Sequence, residues 1–399
     1  MSIPPELLVT QVTAQRSETF GPIYRALFEG SEELGLDAEA VCQSIDKEAL
    51  TLTLFYVHER AKGEASFYHP HINVIPPEFT TLLWVSETEL DFIQGSPLYY
   101  IASTMREAVN DVYDAVVPRL LQVFGDKFAK ASSATNRDFL WAYTILDSRA
   151  FKLRHPVDGQ HGSDASEGAL LTTVAPLIDL ANHVLTDEEA QLESLGIDPT
   201  TGHLRIIVPK HATASKGQPL YLKYNELANW QLLLFYGFAI PNNTFDGVNL
   251  MLDIPDEQDN PQMEMRKMLL LNAGEEAGFG LEHTIRLQPD TPILTPELLG
   301  SLRLLLAEGD ELDGVTVDTL DELFVQPLSK ENETRVLITL RQLFENMLEQ
   351  YPTTIEHDRQ QLGKEESMFH RWCLLYMIGQ KEILQGAIVT TKAMLERAQ

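Results

Sequence analysis

Between residues 97 and 125 apolar side chains return every three or four positions, as Leu98, Ile101, Met105, Val109, Val112, Val116, Leu120 and Val123. That spacing gathers them on one stripe of a 3.6-residue helix, whereas strand alternation would scatter them over both faces. A chain with an amphipathic helix of this length must offer it a wide apolar surface to cover. Helical patterning recurs at about 136–151, opened by Asn136 and carrying Phe139, Leu140, Tyr143, Thr144 and Phe151, and again at Glu226–Phe238, where Pro241-Asn-Asn ends it. Short apolar segments bounded by turn residues lie between these helices: Leu170–Leu180, His203–Val208 and Pro219–Tyr224 read as strands. The run from 46 to 62 is apolar without a clean period and reads as helix or strand. A Gly-, Asp- and Ser-rich loop is expected from Val157 to Gly168, and from 262 onward the pattern predicts helix almost throughout, most clearly at Arg335–Tyr351 and Ser367–Arg397.

Charge narrows the partners. Thirty lysines and arginines face 59 aspartates and glutamates, a net charge of −29. Such a surface repels phosphate backbones and anionic lipid, so nucleic-acid and membrane binding are not expected. Residues 251–350 are the most one-sided, with 21 acidic against 7 basic side chains. Two cysteines, Cys42 and Cys373, cannot build a disulfide framework or a four-cysteine zinc module, and no metal site is expected. No apolar run nears the roughly 20 residues that span a bilayer. The expectation is a soluble intracellular protein, cytoplasmic or nuclear, or organellar.

Three segments draw the eye together. They are Asp147-Ser148-Arg149-Ala150-Phe151; Pro176-Leu-Ile-Asp179-Leu-Ala-Asn182-His183; and Tyr221-Leu-Lys-Tyr224 running on to Tyr236-Gly237-Phe238. Singly each has a plain reading. Arg149 near a helix C-terminus answers the helix dipole, Asn182-His183 suits a capping turn, and the tyrosines suit a core whose hydroxyls find partners.

Their order resembles the SET-domain methyltransferases, in the branch of the Rubisco large-subunit lysine methyltransferase and the actin histidine methyltransferase. Glu59-Arg-Ala-Lys-Gly63-Glu-Ala-Ser66-Phe-Tyr68 is similar to that branch's helical insertion. Tyr351–Asp358 and Gly379–Leu384 are similar to its C-terminal helical domain, so the likeness runs from about residue 3 to about 385. The resemblance implies an α+β fold: a mostly-β, knot-like SET core over 1–250 with a helical insertion at about 46–145, then an all-helical substrate-binding domain over 255–399. It implies S-adenosylmethionine as cofactor, held by Arg149, Asp179, Asn182, His183 and Phe238. Tyr224 would be the catalytic tyrosine, with Ser148 and Tyr236 lining the substrate channel. A protein substrate is implied, with lysine as acceptor and histidine as the other acceptor the family uses. Histone-directed relatives often carry cysteine-rich zinc flanks, so two cysteines point to a non-histone target, and an acidic helical domain implies a substrate with a basic face.

In the family a Gly-x-Gly-type loop precedes the segment that Ile3-Pro4-Pro5-Glu6-Leu7-Leu8 resembles, and this sequence starts at that segment. The expectation is thus a methyltransferase lacking that loop. The alternative is a catalytically inactive SET-like protein-interaction module.

Overall fold

The computed structural model describes residues 2–30, 33–156, 168–209, 215–253, 266, 269, 280–316, 319–365 and 367–398. They form two compact units. The first comprises Met1–Ser86, Tyr100–Glu226 and Leu234–Gly237; the second comprises Glu87–Tyr99, Leu227–Leu233 and Phe238–Gln399.

The first unit has a helical core and a strand-built core. At the centre of the helical core lies Lys47–Ala61, capped by Asp46, whose carboxylate accepts from the Glu48 and Ala49 amides. Every residue from Leu50 to Glu59 is buried. A helix covered on all sides has no polar face, which is why its sequence shows no period. Around it pack Val109, Val112, Val116 and Leu120 of the long helix Pro97–Phe124, and Phe139, Trp141, Ala142, Ile145 and Leu146 of the helix Asn136–Arg149. The latter begins at Asn136, as expected, and is capped by Thr135. Thr135 and Asp138 satisfy each other's backbone amides in a capping box. The helix stops at Arg149, and Phe151 lies in the strand that follows.

The strand-built core is assembled from pieces of six residues or fewer. Strands β1 (Ser2–Ile3), β6 (Leu204–Ile207) and β5 (Glu193–Ile197) make an antiparallel sheet in the order β1-β6-β5. Strand β2 (Ala150–His155) pairs antiparallel with β3 (Ala169–Val174), and β4 (Asn182–His183) pairs parallel with β7 (Tyr221–Leu222). Ile3, Leu8, Leu153, Ile178, Leu192, Leu204, Ile206 and Leu222 bury their side chains among them. The expected strand at Leu170–Leu180 ends at Val174, because Leu177 takes a left-handed turn (φ 78°) into the 3₁₀ turn Ile178–Leu180. Of Pro219–Tyr224 only Tyr221–Leu222 is strand. Helices supply the larger apolar cluster of the first unit, mostly from the expected insertion at about 46–145. The expected loop at 157–167 lies outside the described residues.

The segment expected as one helix from Glu226 to Phe238 is a single α-turn, Asn229–Gln231, followed by a π-turn, Leu232–Tyr236. It ends at Gly237, whose φ of 75° reverses the chain before Pro241 is reached.

The second unit is not all helix. Strand β8 (Val248–Met251) pairs antiparallel with β9 (Glu282–Ile285), and Val248 and Leu250 point inward while Asn249 and Met251 face water. Four residues of alternation are too few to stand out beside long helical stretches. The remainder of this unit is built on the helices Pro296–Leu305, Lys330–Glu349, Ile355–Gln361 and Met368–Ala398. Lys330–Glu349 packs along Met368–Ala398 through Val336, Leu337, Leu340 and Phe344. No helix among the described residues is long and apolar enough to cross a membrane, and no cluster of histidine, cysteine or carboxylate side chains there is placed to hold a metal.

Candidate active site

Where the helix Asn136–Arg149 gives way to β2, the chain turns Ser148 and Arg149 toward a cavity of about 430 Å³ within the first unit. Its walls also take Phe151, Lys152 and Leu153 from β2, Asp179 and Ala181 from the turn after Leu177, Leu222 to Asn225 from the end of β7, and Tyr236 from the π-turn. Left-handed backbone at a non-glycine residue is strained, and here it stands two residues before Asp179.

Arg149 donates from Nη1 to the Asp179 carbonyl (2.9 Å), and its guanidinium lies 5.8 Å from the Phe79 ring centroid. Its Nε is sealed from solvent with no hydrogen-bond partner among the described residues. Lys152 contributes a second cation, tied to Glu48 (2.8 Å) and Thr172 (2.6 Å), and Lys223 a third, 3.3 Å from Asp187. Both lysines are paired with carboxylates, Lys223 also with Glu226 at 3.5 Å.

Tyr224 is held from three directions. Its hydroxyl donates to the Ala181 carbonyl (2.7 Å), its backbone amide donates to His183 Nδ1 (3.1 Å), and its ring lies 5.1 Å from that of Tyr236. Burial, then the neighbouring Tyr236, pushes its hydroxyl pKa up to about 12. The phenol stays protonated at neutral pH and serves as a donor. Burial of the His183 imidazole lowers its pKa, in keeping with a neutral ring accepting from the Tyr224 amide.

The structure distributes the expected site residues unevenly. Ser148, Arg149, Asp179, Tyr224 and Tyr236 line the cavity together. Ser148 spends its hydroxyl on the Thr144 carbonyl (2.6 Å). Asp179 turns its carboxylate away, toward His71 Nε2 (2.8 Å). Asn182 and His183 lie on β4 but are not among the lining residues; Asn182 is exposed, and His183 acts on the cavity through Tyr224. Phe238 belongs to the second unit, where its amide donates to the Leu232 carbonyl (3.3 Å).

Two further residues matter that were not among the expected site residues. Asp147 directly precedes Ser148-Arg149, and burial raises its carboxyl to a pKa of about 7, with Oδ2 sealed and unpartnered among the described residues. Its position in the motif was the available signal. His71 is 108 residues from Asp179, and nothing local in the sequence marks it.

Known proteins resemble this chain in sequence and in fold. Residues 257–384 match the family model described as Rubisco LSMT substrate-binding. The chain is 27% identical over 355 residues to the chloroplastic ribulose-1,5-bisphosphate carboxylase/oxygenase large-subunit N-methyltransferase of Pisum sativum, covering 86% of this chain and 67% of that one. It is 24% identical over 408 residues to the actin-histidine N-methyltransferase of Homo sapiens, covering 97% of this chain and 60% of the relative. The chain thus spans about three fifths to two thirds of the length of these relatives. The solved SET domain of LSMT bound to lysine and AdoHcy superposes with a TM-score of 0.76 at 23% identity, covering all of this chain and 82% of that one. Residues 257–384 thus match the Rubisco LSMT substrate-binding model, the chain has the fold of the solved LSMT SET domain, and its sequence is similar to the Rubisco large-subunit and actin-histidine methyltransferases.

Proposed function

We propose that this chain is an S-adenosylmethionine-dependent protein methyltransferase whose acceptor is a lysine on a non-histone protein. Its relatives named above act on protein targets, Rubisco and actin. The observation that carries the reading is the Tyr224 hydroxyl, fixed on the Ala181 carbonyl at 2.7 Å beside Tyr236 in a cavity rimmed by Arg149, Lys152 and Lys223.

The lining suits the cofactor's chemistry. Arg149 lines the cavity, where its guanidinium suits an amino-acid carboxylate, and Phe151, Leu153, Leu195 and Leu222 provide apolar wall for the remainder. When bound, S-adenosylmethionine would supply a methyl group on a sulfonium leaving group.

The protein's own part is positioning. An amine entering beside two half-buried tyrosine rings leaves bulk water, and desolvation favours its neutral, nucleophilic form. With its proton on the Ala181 carbonyl, the Tyr224 hydroxyl oxygen is left as an acceptor; accepting an amine N–H there would leave the nitrogen lone pair free to point elsewhere. The aromatic faces tolerate a cationic amine before and after transfer. The acidic excess at 251–350 suits a substrate with a basic face.

The test is calorimetric titration with S-adenosylmethionine, with Arg149→Ala alongside, followed by transfer of labelled methyl to lysine-bearing proteins of basic surface. Saturable binding that Arg149→Ala weakens, together with transfer, supports the reading. A folded chain that binds no cofactor overturns it and leaves a SET-like interaction module.

A further inference from the structure

Four polar atoms behind the cavity wall are sealed from solvent without a hydrogen-bond partner among the described residues: Tyr56 Oη, His71 Nδ1, Asp179 Oδ1 and Arg149 Nε. One bond links the middle two residues, His71 Nε2 to Asp179 Oδ2 at 2.8 Å, and their side chains are 5% and 0% exposed. The Tyr56 ring stands edge-on to His71 at 6.5 Å. Buried carboxylates are costly unless partnered, and among the described residues this one has a single side-chain partner. Arg149 does not supply another, since its Nη1 goes to the Asp179 main-chain carbonyl.

We infer that His71 is a positioning residue for the candidate site: by holding the buried Asp179 carboxylate it sets the Asp179–Ala181 run, whose main-chain carbonyls receive Arg149 and the Tyr224 hydroxyl. The kinetic consequences of this role rest on the methyltransferase reading; its structural content stands without it.

The backbone supplies the link. Leu177 enters the turn with φ 78°, and such a conformation persists only where its surroundings over-determine it. Beside the turn bonds from the Leu180 amide to the Leu177 carbonyl (3.4 Å) and from the Ala181 amide to the Ile178 carbonyl (3.0 Å), three contacts at Asp179 do so here. The Asp179 amide donates to the Ala175 carbonyl (3.1 Å), the Asp179 carbonyl accepts Arg149, and the Asp179 carboxylate takes His71. The first two are local or come from the site itself. The third comes from the short helix His69–Ile72 and has no other evident use. Two residues past Asp179 the Ala181 carbonyl receives the Tyr224 hydroxyl. A turn that relaxes after losing His71 would carry both carbonyls with it.

A packing role and a positioning role separate by substitution. His71→Phe fills the space without a donor, and His71→Gln keeps an N–H at comparable reach. The double variant His71→Leu with Asp179→Leu removes the buried charge and its partner together, so folding survives if the singles fail. Two readouts apply to the full chain: methyl-transfer kinetics, and the carbon-13 signal of tyrosine ζ-labelled protein assigned to Tyr224 by its absence in Tyr224→Phe.

We expect His71→Phe and the double variant to shift the Tyr224 signal and to lower kcat by about tenfold or more, with KM for the substrate protein changing less than about threefold. His71→Gln should return both readouts toward wild type. A double variant with an unmoved Tyr224 signal, or Phe and Gln variants that behave alike, would overturn the inference. Because the spectroscopic readout needs no turnover, a chain inactive in transfer would refute the functional reading, while the Tyr224 signal would still decide the role of His71.

Discussion

Tyr224 and Tyr236 meet ring to ring, centroids 5.1 Å apart and planes tilted by 33°, although one follows a strand and the other closes a π-turn. The contact brings two phenols to one cavity wall and leaves the Tyr224 hydroxyl committed to the Ala181 carbonyl. Removing that hydroxyl while keeping the ring isolates its role. Tyr224→Phe should lower methyl transfer by about 10²-fold or more, the cost of losing one preorganised hydrogen-bonding group, while cofactor affinity stays within about twofold. Stopped-time transfer assays beside calorimetry separate the two. Equal loss in both would make the tyrosine structural.

Asp147 carries a pH prediction. Burial raises its carboxyl to about 7 in the folded chain, whereas an unfolded aspartate titrates near 3.9. The folded state holds this proton more tightly, so the contribution to stability is complete below about pH 4 and is lost as pH rises through about 7. At roughly 1.4 kcal/mol per pKa unit the swing is at most about 4 kcal/mol. Asparagine at this position has no proton to lose. Denaturant unfolding at pH 5 and pH 8 should show a pH-dependent loss in the wild type that is clearly smaller in Asp147→Asn. Matching losses would mean that Asp147 is ionised in the fold.

Gly237 ends the π-turn directly after Tyr236, and two independent constraints fall on it. Its φ is 75°, and a Cβ there would lie 2.5 Å from the Thr80 carbonyl carbon and 2.6 Å from its Oγ1. Thr80 also donates to the Gly237 carbonyl at 3.2 Å, so the approach is part of the packing. Gly237→Ala should destabilise the protein by about 2 kcal/mol or more, combining left-handed backbone strain with overpacking. Thermal unfolding measures it. A change below about 0.5 kcal/mol would show that the turn can reopen.

Helices with one apolar face could be read directly from the chain: the spacing from Leu98 to Val123 foretold Pro97–Phe124 almost to the residue. The Lys47–Ala61 helix was ambiguous because burial on every side erased its period. At β8 and β9 four residues apiece were too short to register beside long helical runs. The site divides in the same way. Ser148, Arg149, Asp179, Tyr224 and Tyr236 are carried in ordered motifs, and they line one cavity. The direction of a side chain is not in a motif. Asp179 faces His71 rather than the cavity, and His183 serves the Tyr224 backbone. His71 could not be found at all, since its partner is 108 residues away and only the folded chain introduces them.

In the second unit the pair Lys381–Asp358 offers a test of whether a buried charge sustains the helical packing or merely tolerates it. Lys381 Nζ lies 2.5 Å from Asp358 Oδ2 and 2.9 Å from Thr353 Oγ1, and it sits 5.0 Å from the Tyr351 ring centroid. The two side chains are 1% and 4% exposed. Thr354 caps the helix Ile355–Gln361 that holds Asp358, so the pair ties this short helix to Met368–Ala398. Lys381→Met strands a carboxylate in the interior, and about 3–5 kcal/mol of stability should go with it. Asp358→Leu in the same chain removes the stranded group. Two desolvated charges seldom recover more by attraction than they lose by leaving water, so the double variant should regain most of that loss. A double-mutant cycle from denaturant unfolding gives the coupling directly. Recovery would mean that the pair specifies how the two helices meet more than it strengthens them. A double variant as unstable as Lys381→Met would mean that the ion pair itself, with Thr353 and the Tyr351 face around the ammonium, holds the short helix in place.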